Sequence, residues 1–280
     1  MTLIEARSLF REKLLFKFPV NQIDFIFKYI LKEFFDWEST IIGLKPNLIL
    51  KNFQLKKLEK AMISLLDDYP LQYITGKTFF MELEIIVNPN VLIPRPETEE
   101  LTKLIISKCY NQTTFMDLCT GSGCIALAIK KHIPKSNVYG IDISSKSISL
   151  AKQNSKYLNL PVSLHNDNIC KLITWPFKFD VIVSNPPYLD SNDIKNISPN
   201  VFKHEPHIAL FAPPNNPIYF YECCISFAKN NLRRDGILYF EINPRYVNKI
   251  ESLFLKSDFK QVEIKKDTFG KKRMLSAKKK

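Results

Sequence analysis

The sequence predicts an α/β protein with a mostly parallel, doubly wound sheet that follows a small bundle of helices. Residues 1–75 carry apolar side chains at helical spacing. From about residue 113, short apolar runs alternate with segments of helical periodicity, and several runs end in a polar or glycine-rich turn. Such alternation is typical of parallel strands joined by helices.

The composition sets the class of protein. The chain has 280 residues and is 45% hydrophobic, which is enough for one large or two smaller packed domains. Its apolar runs are shorter than the roughly 20 residues of a membrane span. The N-terminus lacks the basic and apolar order of a signal peptide. We therefore expect a cytoplasmic, soluble monomer with no membrane contact.

The six cysteines are scattered through the chain. They form no C-x-x-C pair, and no secretory signal accompanies them, so we expect free thiols rather than a disulfide framework. The four histidines show no spacing typical of a zinc site, and we expect no metal.

The formal net charge of +12 invites a nucleic-acid hypothesis. Half of this excess lies in the last ten residues, where six basic side chains stand without an acid. We expect a frayed basic tail on a nearly neutral body. Direct nucleic-acid binding is therefore not expected, although attraction to an RNA-rich partner stays open.

The N-terminal part is predicted to form helices over about 2–17, 20–35 and 51–68. It contains no catalytic constellation. Its helices either only pack together or form a recognition module for a macromolecular substrate. The spacing of apolar residues cannot distinguish these interpretations, because core helices and interface helices share the same periodicity.

A hairpin is predicted after this bundle, because residues 78–87 partly alternate in polarity. In the segment that follows, Thr98 or a neighbour is expected to cap a helix. We divide the chain into a helical domain (1–75), a hairpin linker (76–94) and the α/β domain (95–280).

Regular alternation continues through the α/β part. Strands are predicted at 115–118, 138–141, 162–164, 180–184, 236–241, 260–265 and 273–277. Helices are predicted at 124–131, 147–157, within 210–232, and at 245–257. Ligands of such sheets bind beyond the C-terminal ends of the strands, so the residues there are the candidate site.

The first candidate is the turn between the first strand and its helix. Its residues are Cys119, Thr120, Gly121, Ser122 and Gly123. Glycines let a ligand approach the backbone, and the amides of a helix N-terminus favour a carboxylate or phosphate. The turn is neither a P-loop nor a complete G-x-G-x-x-G, and by itself it is a weak signal.

Two further polar positions follow the next strands. Asp142 ends the second strand about twenty residues downstream, where an acid suits ribose hydroxyls. A solvated strand-end Asp is the alternative. Asn168 follows the third strand and could meet an adenine amino group, or belong to an ordinary loop.

Asn185-Pro186-Pro187-Tyr188 follows the fourth strand. Each proline lacks an N–H and fixes its φ at about −65°, which makes the loop stiff. An ordinary turn would have the same composition. In combination, however, the four motifs follow the order found in S-adenosylmethionine-dependent methyltransferases, and the tetrapeptide resembles the one that serves methylation of planar amino nitrogens.

This resemblance implies roles for the tetrapeptide. The Asn185 side-chain oxygen and the Pro186 carbonyl would accept the two N–H bonds of the acceptor, and Tyr188 would form a wall, so these three residues are the expected catalytic group. Pro187 would join them in binding substrate, and Asn185 would also contact the cofactor. Positioning and electrostatics would then carry catalysis without a strong base.

Longer motifs narrow the resemblance. They are Gln72-Tyr73-Ile74-Thr75-Gly76, Ile93-Pro94-Arg95-Pro96-Glu97-Thr98-Glu99, Val183 to Tyr188, and Glu205-Pro206 with Ala209-Leu210. Over nearly the whole chain they look like the bacterial release-factor glutamine methyltransferases. That family joins a helical N-terminal domain to a Rossmann-like class I methyltransferase domain with a mostly parallel seven-stranded sheet.

The resemblance implies S-adenosylmethionine as cofactor, S-adenosylhomocysteine as product, and class I peptide-chain release factors as protein substrate. The methyl acceptor would be the glutamine of their Gly-Gly-Gln motif, and the first 75 residues would dock the release factor. The chain departs from the family at Cys119, where Gly is usual, and at Asn168, where Trp is common.

Two alternatives remain at this level. An adenine-N6 methyltransferase of nucleic acid would use the same tetrapeptide and the positive charge. A basic ribosome-associated binding protein could retain a methyltransferase fold without activity.

Overall fold

The computed structural model describes residues 1–255 and 257–280. The chain divides into two compact units, one of Met1–Gly76 with Ser198–His204 and one of Lys77–Ile197 with Glu205–Lys280. The helices are α1 (Leu3–Leu14), α2 (Val20–Phe35), α3 (Ile41–Leu44), α4 (Asn52–Leu66), α5 (Leu71–Thr75), α6 (Pro96–Lys108), α7 (Cys124–His132), α8 (Ser145–Tyr157), α9 (Pro199–His204), α10 (His207–Leu210), α11 (Tyr219–Asn231) and α12 (Val247–Leu255). The strands are β1 (Lys77–Phe80), β2 (Leu83–Ile86), β3 (Thr114–Leu118), β4 (Asn137–Asp142), β5 (Ser163–Asn166), β6 (Phe179–Ser184), β7 (Leu232–Glu241), β8 (Phe259–Lys266) and β9 (Lys272–Lys279).

The first unit is a bundle around α1, α2 and α4. Thr2 caps α1 in a capping box with Glu5. Between α1 and α2, Asp24 accepts hydrogen bonds from both Arg7 and Arg11, with N–O distances of 2.5–3.0 Å. The hydrogen bond from Arg11, followed by that from Arg7, holds the pKa of Asp24 well below its usual range. The apolar faces of the helices form the core of this unit.

The second unit begins with the hairpin of β1 and β2, which pair in antiparallel fashion. Asn154 of α8 holds the hairpin: its Oδ1 accepts from the Ile86 amide (2.8 Å), and its Nδ2 donates to the Ile86 carbonyl (3.0 Å). The same Nδ2 donates to the Ser122 carbonyl (3.0 Å). One buried amide therefore connects the hairpin to the turn after β3.

The main sheet has the order β5-β4-β3-β6-β7-β9-β8. Neighbouring strands from β5 to β7 are parallel, whereas β9 pairs antiparallel with both β7 and β8. This arrangement confirms the predicted mostly parallel seven-stranded sheet. Every residue of β3 is buried, as expected for a central strand with helices on both faces.

The expectation that the cysteines are all free thiols is wrong. Cys170 and Cys223, 53 positions apart in sequence, form a disulfide, while Cys109, Cys119, Cys124 and Cys224 are free. The fold brings the pair together, which spacing along the chain could not indicate.

The basic C-terminus is not a frayed tail, because β9 continues to Lys279. Lys278 lies 3.1 Å from the Asp235 carboxylate. Lys279 donates to the Leu232 carbonyl at 2.9 Å. Its basic side chains therefore have acceptors supplied by the neighbouring strand.

Among the described residues, none of the helices combines the length and apolar character needed to cross a bilayer. The same residues show no cluster of three or more His, Cys, Asp or Glu suited to a metal ion.

Candidate active site

The sheet topology places three of the predicted motifs at one edge. β3 lies between β4 and β6, and Leu118 is in register with Ile141 on one side and Ser184 on the other. The chain moves outward from β3 through β4 to β5, and then returns to the other side of β3. Cys119, Asp142 and Asn185 therefore meet where the strand order reverses, which is where doubly wound sheets bind ligands.

A pocket opens at this edge, with about 1100 Å³ of open space that is partly continuous with solvent. It is lined by the predicted residues Cys119, Thr120, Gly121, Ser122, Asp142, Asn168, Asn185 and Pro187. It is also lined by residues for which no part in ligand binding was predicted, including Asn90, Leu92, Arg95, Thr98, Ile143, Ile169, Ile208 and Phe220. The lining does not include the predicted residues Gly123, Pro186 and Tyr188, although each is adjacent in sequence to a lining residue.

The turn after β3 is held by short hydrogen bonds. The Thr120 amide donates to the Ile141 carbonyl (2.9 Å), and its hydroxyl donates to Asp117 Oδ2 (2.6 Å). Gly123 has φ +81°, and a methyl group there would lie 3.2 Å from Cβ of Ala151. Gly121 has φ +56° but faces open space. Gly123 therefore serves helix packing, whereas Gly121 leaves backbone accessible to a ligand.

Cys119 has φ +61°, a left-handed conformation in which a residue with a side chain is strained. This conformation gives a physical reason why glycine would suit the position. The Cys119 thiol lies beside Cys224, and the hydrogen bond between them, together with burial, raises the pKa of Cys119 well above its usual range. The thiol is thus a neutral packing group in this turn.

Asp142 organises the backbone around it. Its Oδ2 accepts from the Gly121 amide and its Oδ1 accepts from the Ser144 amide, each at 2.9 Å. Burial raises its pKa, although these two bonds favour the charged form. Each oxygen of a carboxylate has a second lone pair, so Asp142 retains capacity to accept from a ligand.

Asp117 lies beneath the turn and is fully buried. Its Oδ2 is bonded to Thr120, while its Oδ1 has no hydrogen-bond partner among the described residues. Burial raises the pKa of Asp117 to about 7.

The loop after β5 supplies both polar and apolar contacts. Asn168 Oδ1 accepts from the Cys170 amide at 2.9 Å, so it stabilises its own loop while lining the pocket. Asn166 Nδ2 donates to the Asp142 carbonyl (2.8 Å). Ile169 of this loop and Ile143, which follows β4, add apolar surface to the pocket.

In the tetrapeptide after β6, both prolines are buried. Asn185 Nδ2 donates to Thr98 Oγ1 at 3.1 Å. The Tyr188 hydroxyl donates to Glu241 Oε1 at 3.0 Å, and burial raises the pKa of Tyr188 well above its usual range. The loop is therefore held by its backbone stiffness and by two side chains that bond inward.

Thr98 and Glu241 form a buried hydrogen bond that the sequence did not indicate. The prediction that Thr98 or a neighbour caps α6 is wrong, because Arg95 stands at the N-cap without a side-chain hydrogen bond to the helix and Pro96 begins the first turn. Thr98 lies one turn further on, and its buried hydroxyl donates to Glu241 Oε2 at 2.6 Å. Burial raises the pKa of Glu241. Its position at the end of β7, on the same sheet edge, is the signal that could have found it.

Two motifs far apart in sequence also meet here. Arg95 lies 2.5 Å from Glu205 Oε1, and Glu205 Oε2 accepts from the Ile93 amide at 3.1 Å. The Glu205 side chain is only 1% exposed. The Ile-Pro-Arg-Pro segment is thereby anchored at the entrance of α6.

Comparison with known proteins identifies the fold. Residues 84–208 match the methyltransferase small domain family. The fold is similar to that of a methyltransferase from Pyrococcus furiosus (TM-score 0.54, 18% identity, 79% of this chain and 98% of that chain). It is also similar to ribosomal protein L11 methylase from Lactobacillus delbrueckii subsp. bulgaricus (TM-score 0.52, 22% identity, 70% and 85%). The family match and the fold thus point to the methyltransferase class of proteins.

Sequence relatives specify the family. The chain is 37% identical over 280 residues to the release factor glutamine methyltransferase of Flavobacterium psychrophilum, covering 98% of each protein. It is 32% identical over 261 residues to that of Bacteroides thetaiotaomicron, covering 93% of this chain and 94% of the relative. The protein belongs to the release factor glutamine methyltransferase family.

Proposed function

We propose that this protein transfers a methyl group from S-adenosylmethionine to the side-chain amide nitrogen (N5) of the glutamine in the Gly-Gly-Gln motif of class I peptide-chain release factors, and so modulates translation termination. The observation that carries the proposal is Asn185 at the pocket wall, with its Nδ2 bonded inward to Thr98. This leaves the side-chain oxygen as the group available to an amide acceptor.

The residues that line the pocket suit the chemistry of the cofactor. Gly121 presents backbone without a side chain, Asp142 has lone pairs for ribose hydroxyls, and Ile143 and Ile169 offer apolar surface for a base. The turn from Cys119 to Gly123 would hold the amino-acid part and Asn168 the adenine side. When bound, S-adenosylmethionine supplies an electrophilic methyl group and leaves as S-adenosylhomocysteine.

The reaction requires that a poor nucleophile be oriented. The lone pair of a carboxamide nitrogen is delocalised into its carbonyl group. Asn185 Oδ1 and the Pro186 carbonyl would accept its two N–H bonds, which favours localisation of the lone pair towards the methyl group. Held by Asn185 Oδ1 and the Pro186 carbonyl, the nitrogen would take up the methyl group and lose one proton to solvent, and the electron pair of the sulfur–carbon bond would stay with the departing S-adenosylhomocysteine.

Tyr188 and Pro187 would complete the acceptor side. The ring of Tyr188 has a set direction because its hydroxyl is bonded to Glu241. Pro187 is rigid and lines the pocket. Both are suited to hold a flat amide group by contact alone.

The helical unit is proposed to dock the release factor. It has its own core and a surface that includes Phe16, Phe25 and Phe53, each more than half exposed. Large exposed apolar side chains of this kind are enriched in protein interfaces. We further propose that the enzyme acts as a monomer in the cytoplasm.

A labelled-cofactor assay tests the proposal. The protein is incubated with methyl-labelled S-adenosylmethionine and a class I release factor, and the peptide containing Gly-Gly-Gln is weighed by mass spectrometry. We expect one added methyl group on that peptide, none when its glutamine is replaced by alanine, and none on duplex DNA or on ribosomal RNA. Label on adenine instead would replace the proposal with the nucleic-acid alternative.

Asn185→Ala should abolish transfer while cofactor binding, measured by calorimetry, stays within about threefold, because catalysis depends on positioning. Asn230→Ala is the matched control, since the Asn230 side chain bonds to its own helix at the Ser226 carbonyl. Full activity of the Asn185 variant would refute the assigned role.

A further inference from the structure

We propose that Glu241 is a positioning residue for methyl transfer, which acts through Thr98 to hold the Asn185 amide with its oxygen towards the pocket. The inference rests on the proposed function. It adds a residue from the end of another strand to the group that makes the reaction possible.

The three side chains form one continuous chain of hydrogen bonds. Glu241 Oε2 accepts from the Thr98 hydroxyl at 2.6 Å, and Thr98 Oγ1 accepts from Asn185 Nδ2 at 3.1 Å. Glu241 is 1% exposed and Thr98 is 3% exposed. Water therefore has little access to replace either partner.

The order of donors in this chain determines the orientation of the amide. A hydroxyl has one proton, and Thr98 gives it to the carboxylate, so only its lone pairs face Asn185. If the amide were turned over, Asn185 Oδ1 would face those lone pairs. Thr98 would then have to give its proton to Asn185 and leave a buried carboxylate oxygen unpaired, which is unfavourable. Glu241 thus selects the orientation in which Asn185 can accept from a substrate amide.

The other oxygen of Glu241 serves the same loop. Oε1 accepts from the Tyr188 hydroxyl at 3.0 Å, and Arg273 Nη1 lies 3.5 Å from that hydroxyl. The strand end of β7 thereby holds both the first and the last residue of the tetrapeptide. A single carboxylate sets the direction of the acceptor-binding oxygen and of the aromatic wall.

Glu241→Gln is the first test, because it keeps the size of the side chain and replaces an acceptor-only carboxylate by a neutral amide that can also donate. A glutamine amide can donate to Thr98, which frees the Thr98 proton for Asn185 Oδ1 and allows the amide to turn. We expect kcat for release-factor methylation to fall about 100-fold, in line with the loss of one oriented group. Calorimetric affinity for S-adenosylmethionine should change less than about threefold, since Glu241 is not among the residues lining the pocket.

A threonine series keeps the inference falsifiable if the glutamine variant does not fold. Thr98→Val breaks the chain and should lower kcat to a similar extent, whereas Thr98→Ser restores the hydroxyl and should recover most of it. Thr102→Val is the matched control on the same helix: Thr102 is equally buried, and its hydroxyl bonds to the Thr98 carbonyl rather than to Glu241. Its kcat should stay within about twofold.

A second measurement does not depend on activity. The Asn185 side-chain NH₂ signals, assigned by their loss in Asn185→Ala, are followed by ¹H–¹⁵N NMR. We expect slow solvent exchange in the wild type and in Thr98→Ser, and faster exchange with shifted signals in Thr98→Val and Glu241→Gln. If the wild-type protein fails to methylate a release factor, the proposed function is refuted. These spectra would still test whether Glu241 and Thr98 orient the Asn185 amide. Unchanged Asn185 NH₂ signals together with an unchanged kcat in Thr98→Val would refute the positioning role of Glu241.

Discussion

Replacement of Asp117 by asparagine should remove a pH dependence of stability that originates directly under the turn after β3. The Asp117 carboxyl is fully buried, and one of its oxygens has no hydrogen-bond partner among the described residues. Burial raises its pKa from 3.8 to about 7. The folded protein therefore binds this proton more tightly than the unfolded chain does.

The sign of the effect follows from linkage. Between about pH 4 and pH 7 the unfolded chain ionises Asp117 while the folded protein retains the proton, so the free energy of unfolding falls as pH rises. A difference of about three pH units corresponds to about 4 kcal/mol, reached just above pH 7. Below about pH 4 the contribution is fully present. In Asp117→Asn the new side chain cannot ionise, yet its oxygen can still accept from Thr120, so the dependence should disappear with little structural change.

The assay is urea unfolding at pH 5, 6, 7 and 8. Trp175 reports on the second unit when Trp37 of the first unit is replaced by Phe. The stability of Asp117→Asn relative to the unsubstituted protein should rise from pH 5 to pH 7 and level off towards pH 8.

Asp235→Asn is the control. Ion pairs with Lys278 and Lys260 lower the pKa of this exposed carboxyl, and asparagine tolerates its φ of +64°. Its proton leaves below the range tested, so its effect should be constant. A constant difference for Asp117→Asn as well would refute the assignment of a proton to the buried carboxyl.

Three further predictions concern the same region. Gly123→Ala should lower the free energy of unfolding of the second unit by about 2 kcal/mol or more in urea unfolding, because strain at positive φ adds to the contact with Ala151. Gly121→Ala should lower it by only about 1 kcal/mol, because Gly121 has the strain without the contact. Equal losses would contradict the packing role of Gly123. Asp142→Ala should weaken S-adenosylmethionine binding at least about tenfold in calorimetry, and unchanged affinity would exclude the ribose contact. Thiol titration of the denatured, unreduced protein should find four reactive cysteines, and six would exclude the disulfide.

The fold could be predicted largely from local pattern. The helices and strands predicted between 113 and 277 agree with the structure to within a few residues at most ends, because apolar periodicity and turn chemistry are properties of neighbouring residues. The alternation of strand and helix also places the ends of parallel strands on one edge. Cys119, Asp142 and Asn185 could therefore be expected to lie together before any contact was known.

Local pattern was misleading where a residue's partner lies far along the chain. A threonine near a helix start is typical of a cap, but Pro96 begins α6 and Thr98 turns inward to Glu241, 143 positions away. The basic C-terminus resembled a solvated tail until β9 was seen to join the sheet. In both places the sheet supplied the partner.

The sequence by itself determined which side chains stand at the ends of the strands, and hence the kind of chemistry that they can perform. Only the tertiary structure decided how they are oriented. The direction of the Asn185 amide depends on the Thr98 hydroxyl, which in turn depends on Glu241 at the end of β7. A hydrogen bond requires a short distance and a donor that faces an acceptor. Residues far apart in the chain, such as Thr98 and Glu241, meet these requirements only when the sheet is assembled.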